Sequence, residues 1–127
     1  MAINYRIVKR KGTIKSENDY HILHAVTKGE VDTERLAYEI SNQCSLHEAD
    51  VAAVLIALGK QLKFHLEDGK TVHLDNIGRF KIGFRSVAKE RAEDLKPSDI
   101  HKFIINYQPT LKLKSWLKGG LSVRKEK

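Results

Sequence analysis

A chain of 127 residues, 41% apolar and 31% charged, is sized and composed for one globular domain with a modest core. Its longest apolar run, Val51 to Leu58, falls far short of the ~18 residues that suggest a membrane span, and its first ten residues hold no apolar signal core. Cys44 is the only cysteine, which excludes an intrachain disulfide and a multi-cysteine zinc site and fits a reducing cytoplasm. The formal charge is +7, unevenly spread: residues 1–15 carry +5, 16–29 carry −1, 30–68 carry −5, 69–108 carry +3 and 109–127 carry +5. Basic segments around an acidic middle attract polyanions, although solvated lysines on any soluble domain produce the same sum.

Ile3, Tyr5 and Ile7 alternate with Asn4, Arg6 and Val8, the period of a strand with one apolar face. Residues 12–19 are polar and turn-like. Tyr20, Ile22, His24 and Val26 lie on one face of a second strand, so the two predict an N-terminal hairpin. The long basic first strand suits a sheet edge, where charge discourages aggregation. Asp32 reads as the cap of a short helix ending near Cys44, with Val31 and Leu36 spaced as a hydrophobic staple and Leu36, Ala37, Ile40 and Cys44 on one face. Cys44 is expected in the core. Ser45 to Glu48 has the pattern of a capping box, opening a helix that runs to Asp68 with Gly69 as its stop.

That second helix is apolar nearly all round: from Ala49 to Leu58 only Asp50 is polar, and Leu62 and Leu66 continue the stripe. Such a helix must be buried on most sides, and burial against a second copy is the economical solution in so short a chain. Gly59 inside it either permits close helix crossing or marks a break. Strands follow at Lys70–Asp75 and Arg79–Arg85, joined by a tight turn over Asn76-Ile77-Gly78. Residues 86–102 are polar, with a short helical turn around Pro97. Phe103 to Tyr107 forms a third strand, and Pro109 suits the first turn of a last helix. Leu113, Trp116 and Leu117 face inward in that helix, Gly119-Gly120 end it, and the tail from Leu121 is frayed.

The order of two helices, then Gly69-Lys70-Thr71-Val72-His73-Leu74 and Ile77-Gly78-Arg79-Phe80, resembles the bacterial histone-like HU and integration host factor family. Tyr107-Gln108-Pro109 followed by Leu113-Lys114 is similar to that family's closing motif. The resemblance covers about residues 30–118. The basic extension before it is similar to longer HU-related proteins of Bacteroides-like bacteria. What the resemblance implies is an α+β, HU/IHF-like fold: a helical base, a three-stranded antiparallel sheet and a C-terminal helix, in an intertwined homodimer that grips duplex DNA in a saddle with two arms. Residues 1–29 are then a basic β extension, 30–118 the DNA-binding domain and 119–127 a flexible basic tail.

Arg79, Lys81 and Arg85 alternate with Phe80, Ile82 and Phe84, so period two puts the cations opposite the apolar face. With Lys89, Arg91, Lys96, Lys102, Lys112, Lys114 and Lys118 they form the expected DNA-binding set. Phosphate contacts of this kind position a protein without reading sequence. Two departures from the family stand out. Its Arg-Asn-Pro-x-Thr-Gly arm tip is absent here, and Glu90, Glu93, Asp94 and Asp99 sit where the arm embraces phosphates, which predicts a shortened or remodelled arm. After Pro109 the family's Gly-Lys is replaced by Thr110-Leu111. His21 and His24 fall on opposite faces of their strand, no His-Glu-x-x-His pattern occurs, and there is no Gly-x-Ser-x-Gly elbow. The expectation is a non-catalytic, nucleoid-associated DNA-condensing protein in the cytoplasm, with no cofactor, metal, membrane or small-molecule substrate. The alternative is a dimeric module that kept the fold and lost most of its grip on DNA.

Overall fold

The computed structural model describes residues 1–12 and 18–127 and divides into two compact units. The turn expected over residues 12–19 falls largely outside the described residues.

The first unit joins residues 1–32 to 117–127. Strand β1, Ile3–Arg10, pairs antiparallel with β2, Tyr20–Val26, in a register running from Asn4 opposite Val26 to Arg10 opposite Tyr20. The hairpin was legible from alternation; its neighbour was not. The segment expected to fray forms a strand, Val123–Lys125, which lies parallel to β1. The sheet order therefore puts β1 in the centre instead of at the edge. Main-chain bonds from the Ile3 N–H to the Ser122 carbonyl and from the Glu126 N–H to the Tyr5 carbonyl, both 2.9 Å, hold this strand. Arg6 adds two bonds to the Glu126 carboxylate, from Nε at 2.7 Å and Nη2 at 3.1 Å. That carboxylate raises the Arg6 pKa above its ordinary value by hydrogen bonding and charge attraction.

The second unit is Thr33–Trp116. Helix α1, Thr33–Ser41, starts directly after Asp32. It stops three residues before Cys44, where the Ser41 hydroxyl donates to the Tyr38 carbonyl at 2.7 Å and competes with the helix ladder. Cys44 is consequently exposed in a turn, not part of the core. Helix α2, Glu48–Glu67, begins later than the capping-box pattern predicts. His47 takes the cap position with extended backbone and no side-chain cap bond, and Ser45 lies two residues outside, too far to serve the first turn. Glu48 and Asp50 in that turn offset the helix dipole instead. The helix passes Gly59 without a break. It ends in a Schellman motif: Gly69 at φ +80° donates to the Leu66 carbonyl and Lys70 to the His65 carbonyl, at 3.0 and 3.1 Å.

Strands β3, Val72–Leu74, β4, Gly78–Ser86, and β5, Ile100–Pro109, form an antiparallel sheet in that order. Strand β5 starts three residues earlier than Phe103 because Lys102 and Ile100 continue the ladder past a bulge at Arg85/Ser86. Pro109 closes β5 and does not open a helix; its missing N–H costs nothing at a strand end. Gly78 is required by close approach: a Cβ there would collide with the Gln108 carbonyl oxygen and come within 2.7 Å of the Tyr107 ring. The Tyr107 hydroxyl donates to the Ile77 carbonyl at 2.9 Å, tying the β3–β4 turn to β5. Helix α3, Leu111–Lys118, follows, and the third strand of the first sheet, already described, is β6. Leu113 is half-buried, but Trp116 and Leu117 are exposed, contrary to the inward face expected of them.

Among the described residues, Ala37, Val51 and Leu66 are the buried apolar side chains. They mark where α1 crosses α2 and where α2 meets the sheet. Outside this small centre, Val54, Ile56 and Phe64 of α2 are solvent-exposed, as are Phe103 and Ile105 of β5 at 68% and 63%.

Candidate nucleic-acid interface

Residues paired directly across an antiparallel ladder share a face. The observed register puts Val72, Phe80 and Tyr107 on one side, followed by Ile82 with Ile105 and Phe84 with Phe103. Ring contacts reinforce it, Phe80 to Tyr107 at 5.1 Å and Phe84 to Phe103 at 6.0 Å between centroids. The other side is polar. It carries His73, Arg79 and Gln108 in one row, then Lys81 with Asn106, Gly83 with Ile104, and Arg85 with Lys102.

No carboxylate occurs in these rows. Arg79, Lys81, Arg85 and Lys102 make no ion pair among the described residues. Alternate residues of a strand stand about 7 Å apart. The cations therefore form a strip with Asn106 and Gln108 as neutral donors and acceptors between them. Gly83 leaves a low point in the strip, because a Cβ there would meet the Asn106 amide nitrogen at 2.8 Å.

At the base of the strip a cleft of about 500 Å³ brings Arg79, His73 and Gln108 against Thr110, Lys112 and Lys114 at the α3 start, with the Asp75 carboxylate also on its wall, 3.7 Å from His73 Nε2. Thr110 Oγ1 is buried there without a partner. Its main chain is used: the Thr110 N–H donates to the Ile77 carbonyl at 3.4 Å and its carbonyl accepts from Lys114 at 2.9 Å. The first N–H groups of a helix and nearby cations favour an anion. A neighbouring cleft of about 340 Å³ is lined by Arg79, Lys81, Asn106 and Gln108. His73, Asn106, Gln108 and Thr110 were missed by reading charge alone. Extending β5 back to Ile100 would have shown Lys102, Ile104, Asn106 and Gln108 on one face by period two.

The connection between β4 and β5 is built differently. Two 3-10 turns, Ala92–Asp94 and Pro97–Asp99, fold it back on itself. The Val87 N–H donates to the Asp99 carbonyl at 3.0 Å. The buried Asp99 carboxylate accepts the Lys96 N–H at 3.0 Å and pairs with Lys89 Nζ at 3.3 Å. Arg91 pairs with Glu93 at 2.6 Å. Of the expected binding residues, Lys89 and Arg91 are thus occupied by the arm's own acids. Pro97 opens a 3-10 turn and is not a hairpin tip. Lys118 is the last residue of α3.

Among the described residues, no group of three or more His, Cys, Asp or Glu is arranged to hold a metal, and no helix is long and apolar enough to cross a membrane. A helix pair carrying an antiparallel sheet with one basic face and one aromatic face, closed by a short C-terminal helix, defines an HU-like domain. Residues 1–125 match the HU-HIG family, "HU domain fused to wHTH, Ig, or Glycine-rich motif", and the chain belongs to that family. The fold is similar to the crystal structure of a "Putative bacterial DNA binding protein" from Bacteroides vulgatus ATCC 8482, with a TM-score of 0.66 at 15% sequence identity. That match covers 98% of this chain and 47% of the other, so the chain spans about half the length of its structural relative. No curated protein sequence matches the chain.

Proposed function

We propose that the chain is a non-catalytic, architectural DNA-binding domain of the bacterial nucleoid. It acts as a homodimer and holds duplex phosphates on the polar face of β4 and β5. The observation that carries this reading is the strip of Arg79, Lys81, Arg85 and Lys102 with no acid in its rows. Membership in an HU family and a fold shared with a protein titled as DNA-binding support it. Phosphate contacts position a protein without carrying sequence information, so binding is indifferent to sequence. The test is titration of unrelated duplexes at several salt concentrations. Affinity should be equal across sequences, and log K should fall with log salt by about 0.9 per neutralised phosphate. Absence of binding at low salt would reject the proposal.

The arm favours a second reading, a dimeric interaction module with little grip on DNA, because Lys89 and Arg91 are spent on Asp99 and Glu93. Both readings agree that bending is weak. A sharp kink needs an apolar wedge and flanking cations to offset a few kcal/mol of unstacking per step. Pro97→Ala should leave affinity and bending unchanged, measured by fluorescence transfer between labelled duplex ends. Replacing Glu90 and Glu93 with Gln and Asp94 with Asn should raise affinity, because Arg91 is released and like charge leaves the arm. Strong bending lost in Pro97→Ala would show a working wedge.

A further inference from the structure

The two most basic stretches, residues 1–15 and 109–127, are far apart in sequence, yet β1 and β6 bring parts of both into one sheet. Residues 1–32 hold six Lys or Arg against four Asp or Glu, and residues 117–127 hold four against one. The first unit therefore carries +5 of the chain's +7. Its register places Arg6 and Arg10 of β1 on the same face as Arg124 of β6, with Tyr20 and His24 of β2 beside them. Two cations are already neutralised, Arg6 by Glu126 at 2.7 Å and Lys9 by Asp19 at 3.2 Å. Among the described residues, Arg10, Lys11, Arg124 and Lys125 have no ion pair.

Unpaired like charges on one small sheet repel each other, and a polyanion relieves that repulsion. The hydrogen-bonded backbone holds the strand cations at fixed spacing, so no backbone ordering opposes binding and only side-chain rotamers must be fixed. We propose that the face of this sheet carrying Arg6, Arg10 and Arg124 is a second contact surface for duplex DNA phosphates, made by the unpaired Arg10 and Arg124 and adding to the contacts of β4 and β5; Lys125, opposite Tyr5, lies on the other face. The inference rests on the reading that the chain binds duplex DNA, and it assigns the N- and C-terminal segments a shared part in it. With cations and no base-reading element, the surface contributes affinity and salt dependence without specificity.

The test uses the full chain and a duplex of arbitrary sequence. Changing Arg10 and Arg124 together to Gln should lower the salt slope by about 1.8, from about 0.9 for each phosphate contact. A fourfold rise in salt then weakens the variant about 12-fold less than the wild type. Arg10→Lys with Arg124→Lys keeps the charge and should keep the wild-type slope, which a structural role of the guanidinium would not allow. As a measurement independent of these variants, changing Arg79, Lys81 and Arg85 to Ala should leave residual salt-dependent binding. A Gln variant with the wild-type slope, or complete loss of low-salt binding in the Ala variant, would overturn the inference while the DNA-binding reading stands. An Ala variant that matches the wild type, with the slope lost only in the Gln variant, would instead reject the β4–β5 face and keep this one. A wild type that binds no duplex would remove both.

Discussion

Leu58→Asp should abolish the folded dimer, whereas Lys60→Asp on the same helix should leave it intact. The reason lies in how much apolar surface the single chain leaves uncovered. Three buried apolar residues cannot offset a backbone ordering cost of about 1–2 kcal/mol per residue. The uncovered side chains, Val54, Ile56 and Leu58 on α2 and Phe84, Phe103 and Ile105 on the sheet, belong to the second unit, and the proposed homodimer would cover them. An unpaired carboxylate placed there costs on the order of 3–5 kcal/mol, enough to exhaust a small domain's stability. On an exposed monomer surface the same change stays within about 0.5 kcal/mol. Sedimentation equilibrium and thermal melting of the wild type and both variants check this. A wild type that sediments as a folded monomer would refute it.

Changing Arg79, Lys81 and Arg85 together to Ala should weaken binding to every duplex alike and reduce the salt slope by about 2.7. These side chains make no ion pair among the described residues, so their removal takes little from the fold. The stability should stay within the range of ordinary surface substitutions, about 0.5 kcal/mol for each residue changed. Weaker binding without loss of stability is the signature of a contact surface. An unequal effect on two unrelated duplexes would show base reading, and an unchanged slope would place the phosphates elsewhere. Filter binding at four or five salt concentrations, with melting followed by circular dichroism, separates these outcomes.

Local pattern determined much of this protein. Period-two alternation located β1, β2 and β4 and placed Arg79, Lys81 and Arg85 on one face, because a strand's side chains alternate whatever surrounds it. The apolar stripe from Val51 to Leu66 announced α2, and Gly69 announced its end, because a left-handed residue there needs no Cβ. Tertiary structure decided the rest. The parallel pairing of β6 with β1 joins residues about 120 positions apart, and a three-residue basic segment carries no signal of its partner until a strand edge is offered to it. The same pairing moved β1 from edge to centre. Ser45 and Glu48 fitted a capping box, yet α2 starts two residues on, with His47 at its cap. The folding of the arm sets Asp99 beside Lys89, and Glu93 lies beside Arg91, pairings that a count of charge does not show. Charge can be read from composition, but whether a charge is free is decided by what the chain brings beside it.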